Sequence, residues 1–323
     1  MRTITIEEHF LTREAIETTA HLRATDPTTS FRDPGVLGQL LDIGAGRVAD
    51  MDAAGIDMQV LSLAVCGLED LEPAAATALA HNANDELAAA VAARPSRLAG
   101  FAALALQEPE KAAAEFERCV KKLGFKGALV NGTTGGKFLD HPRFSPIFEA
   151  AQSLDVPVYL HPAPPPVPVR NAYYSDLPGQ TGNFLSTAGW GWHVETGMHS
   201  LRLIVSGLFD RFPKLKIIIG HMGEDIPFSL ARADSVFSPR TPSLKRKVSD
   251  YFHEHFYVTT SGYFTPPPFL CALQVVGADR LLFSIDYPFS TSADGRGLLD
   301  SVSIGAADME KISHGNAEKL LKL

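Results

Sequence analysis

The sequence predicts an α/β fold in which eight parallel strands, each followed by a helix, close into a (β/α)8 barrel. Three observations point there. Eight apolar runs of strand length alternate with segments of helical periodicity, the pattern of parallel βα units. Four of those runs end in carboxylate or imidazole side chains, which an open sheet would scatter and a closed ring would gather at one mouth. The chain has 323 residues, enough for a barrel of ~250 residues with insertions, and no linker or repeat divides it, so a single domain over 1–323 is expected.

In chain order, strands are predicted at 3–7, 58–63, 98–104, 126–131, 156–161, 215–221, 256–262 and 281–286, where β-branched and other apolar residues cluster. Helices are predicted between them. The segment 73–95 is Ala-rich and stops at a proline. The segment 108–124 opens acidic, closes basic and ends in glycine, matching the helix dipole and the usual C-terminal stop. Segments 145–155, 193–213 and 267–277 read as further helices. Two insertions, 10–45 and 162–190, follow the first and fifth strands and should lie over the mouth as lids, walls or subunit contacts. The proline run at 164–168 reads as a stiff wall.

Composition narrows the function. A net charge of -8, with basic residues scattered, argues against a nucleic-acid partner. The short cluster at 244–250 reads as a solvated helix face. No run approaches the ~20 apolar residues of a membrane span, and no secretory pattern opens the chain. Cys66, Cys119 and Cys271 are odd in number and far apart, unlike a disulfide framework. A cytoplasmic enzyme is expected.

The chemistry-bearing residues start in the opening stretch ITIEEHF. Alternation along a strand puts Glu7 and His9 on one face and Glu8 on the other, where it should pair with a helix. A lone E-x-H says little. His161 alone reads as readily as a loop cap, His221 as a core histidine, and Asp286 as a helix cap. Glu7, His9, His161 and Asp286 together form a set: two carboxylates and two imidazoles suit one divalent ion of the Zn, Mn or Mg type. His253-x-His255 lies before the seventh strand, on the face of a barrel that serves stability. Cys66 has no paired base to make it a nucleophile. The stretch NGTTGG, from Asn131, lacks the lysine of a phosphate loop and reads as a mouth loop touching substrate.

The segments EEHF, MDAAGIDMQVLSL, ALVNG, LHPAP, SGLFDRFPKLKIIIGHMGED and FSIDYPF resemble the metal-dependent aromatic-acid decarboxylases of the amidohydrolase superfamily, the γ-resorcylate and 2,3-dihydroxybenzoate decarboxylases among them. The resemblance runs nearly end to end and implies a distorted TIM barrel. It implies one divalent metal ion held by Glu7, His9, His161 and Asp286, and proton transfer by His221 with Asp286. Glu224 and Arg232 match positions that support His221 and the site entrance, and Phe289 matches an aromatic wall. It also implies a homodimer or homotetramer. Two departures stand out: Ala64 occupies a substrate-contacting position where relatives carry Asn, and STSADGRG follows Phe289 in place of an E-N pair and a later Trp. Trp190, Trp192 and Tyr174 would supply substitute aromatic walls or pack a subunit interface.

The leading expectation is non-oxidative decarboxylation of an ortho-hydroxylated benzoate-type acid, with ring-carbon protonation before CO2 loss and no organic cofactor. The alternatives are hydrolysis or hydration of a lactone, amide or ring-cleavage acid by a metal-activated water, and, in a different class, an inactive metal-binding scaffold.

Overall fold

In the computed structural model, which describes residues 1–25 and 33–323 (residues 23–25 by backbone alone), all the ladders are parallel. The strands are β1 (Ile4–Phe10), β2 (Met58–Leu63), β3 (Leu98–Gly100), β4 (Ala102–Ala103), β5 (Ala128–Asn131), β6 (Val158–His161), β7 (Ile217–Ile219), β8 (Phe256–Thr259) and β9 (Leu281–Leu282). They pair as β1-β2-β3 and β4-β5-β6-β7-β8-β9. The run expected as one strand at 98–104 is therefore two, interrupted at Phe101, whose N–H still bonds Leu61 O. At the other junction Asp286 N–H donates to Glu7 O (3.0 Å) and His9 N–H to Tyr287 O (2.7 Å), so the segment after β9 meets β1 and the ring is complete. The expected barrel is the fold.

Alternation fills its interior. Ile4, Ile6, Val60, Ala99, Phe101, Leu129, Tyr159, Ile218 and Leu282 form one buried cluster, closed at one end by Ala317, Leu320 and Leu321 of the helix Asn316–Leu321. The other faces of the strands pack against the surrounding helices. Those helices form where capping and periodicity predicted. Pro109–Leu123 has Glu110 in its first turn, Lys121 and Lys122 in its last, and Gly124 at φ 74° as its stop. The helix expected over 193–213 is instead Gly191–Val205 and Leu208–Arg211, separated at Gly207, which takes φ 72°. The insertion 162–190 carries two short helices, Val167–Tyr173 and Thr181–Ser186, so only the first part of the proline run is the expected extended wall. In the first insertion, residues 26–32 lie outside the described residues; the rest is largely helical, over Arg13–Thr18, Ala20–Thr25 and Pro34–Leu41. No described helix is long and apolar enough to cross a membrane.

Strand β1 extends beyond the expected 3–7 to Phe10, and it is irregular. Thr5 pairs with Gln59 and Glu8 with Leu61, so three steps on β1 face two on β2. This one-residue bulge resets the alternation. Unbulged, Ile4 and Ile6 would carry Glu8 inward next; with it, Glu7 and His9 turn to the barrel axis.

Glu8 faces away, as predicted, but the expected helix salt bridge is not what it builds. Its carboxyl accepts Ile285 N–H (3.0 Å), Tyr287 N–H (3.1 Å) and the Ser284 hydroxyl (3.1 Å), tying β1 to the segment that carries Asp286. Burial pushes this carboxyl up to about 8, against the pull of those backbone donors. Arg47, buried on the helix Ala45–Ala54, braces the same region. Its guanidinium donates to His9 O (2.6 Å), Asp42 O (2.9 Å), Gln39 O (3.3 Å) and Gln59 Oε1 (3.2 Å), and lies over the Tyr287 ring. Arg47→Ala strands buried carbonyls and is expected to lower stability by about 3 kcal/mol, whereas exposed Arg240→Ala should change it by less than ~0.5 kcal/mol. Urea unfolding of the two variants checks this.

Candidate metal centre and proton-transfer site

Glu7 organises the mouth. Its Oε2 accepts hydroxyl hydrogen bonds from Tyr159, Ser261 and Thr259 (3.0 Å for Thr259). Its Oε1 is buried with no hydrogen-bond partner, and lies 3.4 Å from His161 Nε2 and 3.9 Å from His221 Nε2. Gly220 makes room for this: a Cβ there would meet the two carboxylate oxygens at 2.8 and 2.9 Å.

The other groups converge on Oε1. His161 Nδ1 is 2.8 Å from Pro162 O, a pure acceptor, so Nδ1 carries the proton and Nε2 presents a bare lone pair. His9 has Ser62 Oγ 3.3 Å from Nδ1; its buried Nε2 has no hydrogen-bond partner and faces Asp286 Oδ1 at 3.1 Å without hydrogen-bond alignment. One ligand atom each from Glu7, His9, His161 and Asp286 lie within 4.8 Å of one another. Two orphaned buried donor atoms in a set of two imidazoles and two carboxylates fit a divalent cation. Asp286 is the most exposed of the four, with 16% of its side chain reaching solvent against 7% for His161, so the site opens on that side.

Electrostatics agree. Burial drives Glu7 above the ordinary carboxylate range, with Asp286 adding to the shift and His221 and His9 opposing it. Burial likewise holds His161 well below the usual imidazole value, neutral as a ligand must be. Asp286 stays below its ordinary range because His221 and His9 outweigh its burial.

His221 follows β7 in an unusual turn. His221, Met222, Gly223, Glu224 and Asp225 all have positive φ, from 50° to 90°, four of them without glycine's freedom. This left-handed turn brings His221 Nδ1 to 2.8 Å from Glu224 Oε1 and leaves Nε2 facing Asp286 Oδ2 at 3.7 Å. Burial would discharge His221, but the carboxylates of Glu224 and Glu7 outweigh it and hold the imidazole well above its usual value. Glu224 in turn is kept below its ordinary range, against burial, by His221 and by His193.

His193 was not signalled by the sequence; a lone histidine just inside a helix, after a long insertion, has no motif around it. It sits buried in the helix Gly191–Val205 with Nδ1 2.7 Å from Glu224 Oε2. Of the other expected residues, Phe289 is half exposed at the mouth, its ring 5.6 Å from that of His9. Arg232 lies exposed on the helix Ile226–Phe237, with no ion pair to Glu224 or His221. Ala64 is buried at the end of β2, packed in the outer core, with its N–H bonded to Phe10 O. Trp190 is exposed; Tyr174 lines the cleft beside the mouth, with Pro164 to Pro166. The set-aside His253 is exposed and His255 bonds Leu215 O, away from the mouth.

Residues 16–323 match the sequence profile of the amidohydrolase family. The chain is 43% identical to a gamma-resorcylate decarboxylase of Polaromonas sp. over 99% of its own length and 98% of that protein's. Its fold superposes with TM-score 0.90, at 41% identity and over 100% of this chain and 97% of the other, on a dihydroxybenzoic acid decarboxylase from Polaromonas sp. with bound manganese and the inhibitor 2-nitroresorcinol. It superposes with TM-score 0.91, at 37% identity and over 100% and 96%, on a 5-carboxyvanillate decarboxylase from Novosphingobium aromaticivorans complexed with manganese and 4-hydroxy-3-methoxy-5-nitrobenzoic acid.

A further carboxylate stands at the edge of the site. Asn131 pairs in register with His161 on the neighbouring strand. Its Nδ2 donates to Glu69 Oε1 (2.7 Å), and its buried Oδ1 has no partner. Burial of the carboxyl raises Glu69 from 4.5 to about 7, against the Asn131 hydrogen bond, although the residue keeps a partly exposed edge. The folded chain therefore holds this proton longer than the unfolded chain, so stability falls as pH rises from about 4.5 to about 7. Glu69→Gln removes that slope. Allowing for the exposed edge, the wild type should lose about 1–2 kcal/mol relative to the variant between pH ~5 and pH ~8, read by urea unfolding at both.

Proposed function

The chain belongs to the amidohydrolase family, and we propose that within it the protein is a metal-dependent decarboxylase of an ortho-hydroxylated aromatic acid. The observation that carries this reading is Glu7, one oxygen saturated by three hydroxyls and the other left bare toward His9, His161 and Asp286. One divalent cation, manganese by likeness to the ligated relatives, would be held by those four residues. When bound, it supplies a Lewis acid for the substrate carboxylate and the neighbouring phenolic oxygen, fixing the ring and favouring charge on oxygen.

The chain's own residues handle the proton. Glu224 holds His221 Nδ1, so Nε2 is the nitrogen turned toward Asp286 and the mouth. The proton carried there moves, through Asp286 Oδ2 or directly, to the ring carbon that bears the carboxylate. A C–H bond forms, the C–C bond to the carboxylate breaks, its electron pair returns to the ring, and CO2 leaves. Phe289 walls the ring at the exposed edge, and the unpartnered Asn131 Oδ1 suits a hydroxyl donor on the substrate. The exposed Tyr173, Phe184 and Trp190 of the long insertion support a homo-oligomer, and three free cysteines suit the cytoplasm.

With manganese, the protein should release CO2 from 2,6-dihydroxybenzoate or a related ortho-hydroxybenzoate and, with bicarbonate, carboxylate the corresponding phenol. Exhaustive chelation should abolish both. Acid release from lactones with no response to bicarbonate would establish the hydrolytic alternative instead. Glu7→Gln should lower bound metal from one ion per chain and cut turnover by more than about 100-fold, beyond the loss typical of groups that only orient ligands. Metal analysis and a CO2-release assay on the same sample check this.

A further inference from the structure

Glu224 is shared between two imidazoles. Its Oε1 takes His221 Nδ1 at 2.8 Å and its Oε2 takes His193 Nδ1 at 2.7 Å, with all three side chains buried and the two rings 4.6 Å apart. An ionised carboxylate only accepts, so both Nδ1 atoms carry hydrogen. At its far side His193 Nε2 lies 3.1 Å from Ala188 O and 3.2 Å from Trp192 Nε1. The Trp192 N–H only donates, so with a neutral ring Nε2 accepts from it. Either partner locks the ring, and Tyr263 packs edge-on against it with centroids 5.7 Å apart.

We propose that His193 is a positioning residue for proton delivery: by occupying Glu224 Oε2 it fixes the carboxylate's rotation, and so the tautomer and aim of His221. Without His193 a buried carboxylate oxygen would have no donor, a state that costs free energy until the group rotates or takes up a proton. In either case the bond to His221 Nδ1 weakens, and Nε2 is no longer held toward Asp286. Ala188 and Trp192 adjoin the end of the insertion 162–190, so the segment over the mouth is tied through His193 to the proton donor.

The role rests on the decarboxylase reading, so its test has one arm that needs no turnover. His193→Phe removes the donor; His193→Asn returns an N–H near the Nδ1 position. In proton NMR of the magnesium-loaded protein, the downfield N–H signal of His221 should shift or vanish in H193F and persist in H193N; an unmoved signal in H193F overturns the proposal. In manganese-loaded enzyme, H193F should lower kcat about 10- to 100-fold with KM within about two-fold, and H193N should recover most of that loss. Equal kcat in H193F and wild type, a matching rise in KM, or loss of bound metal overturns it. Absence of decarboxylation in the wild type defeats the functional reading and leaves the NMR arm to decide on His193.

Discussion

The structure depends on holding two carboxylates, Glu7 and Asp286, close together where water barely reaches. Burial raises the cost of ionising Glu7, and the neighbouring Asp286 adds to it. An isolated pair would take up a proton and close the site. Here the cost is met on two sides: three hydroxyls satisfy Glu7 Oε2, and imidazoles face the remaining oxygens. The oxygen left bare points at the centre. The geometry fits a cation, and the ordered donors behind it keep the candidate ligands aimed.

The same constraint explains the backbone. Left-handed conformations cost roughly 1–2 kcal/mol per non-glycine residue, yet four such residues follow β7, and Asp286 itself has φ 74°. Several bonds over-determine the turn: His221 N–H to the Ser261 hydroxyl, Gly223 N–H to Gly220 O, and the His221–Glu224 pair. Strain sustained by many partners is characteristic of sites that need one side chain at one angle. The left-handed turn places His221 and Glu224 together where an ordinary helical start would direct the imidazole elsewhere.

Much of this was legible in advance because the signals are local. Apolar runs marked the strands, acidic starts and glycine stops marked the helices, and strand-end carboxylates and imidazoles marked the mouth. Strand ends were less legible: Asp286 and His221 lie beyond β9 and β7, in irregular backbone held by side-chain bonds that periodicity does not encode. His193 was invisible for a related reason, since its partner Glu224 comes from a distant segment. Arg232 matched a family position yet is not joined to His221 in this chain.

The sequence by itself determined the alternation of strands and helices and which strand-end carboxylates and imidazoles are candidates for the chemistry, because periodicity and residue type are properties of short stretches. The tertiary structure decided how those side chains face. Simple alternation from Ile4 and Ile6 would have sent Glu8 into the barrel; one extra residue against β2 turns Glu7 and His9 inward and leaves Glu8 to bind the backbone around Asp286. That choice belongs to the register between two strands, which is settled only when a neighbour's hydrogen bonds and the shape of the closed ring are both in place.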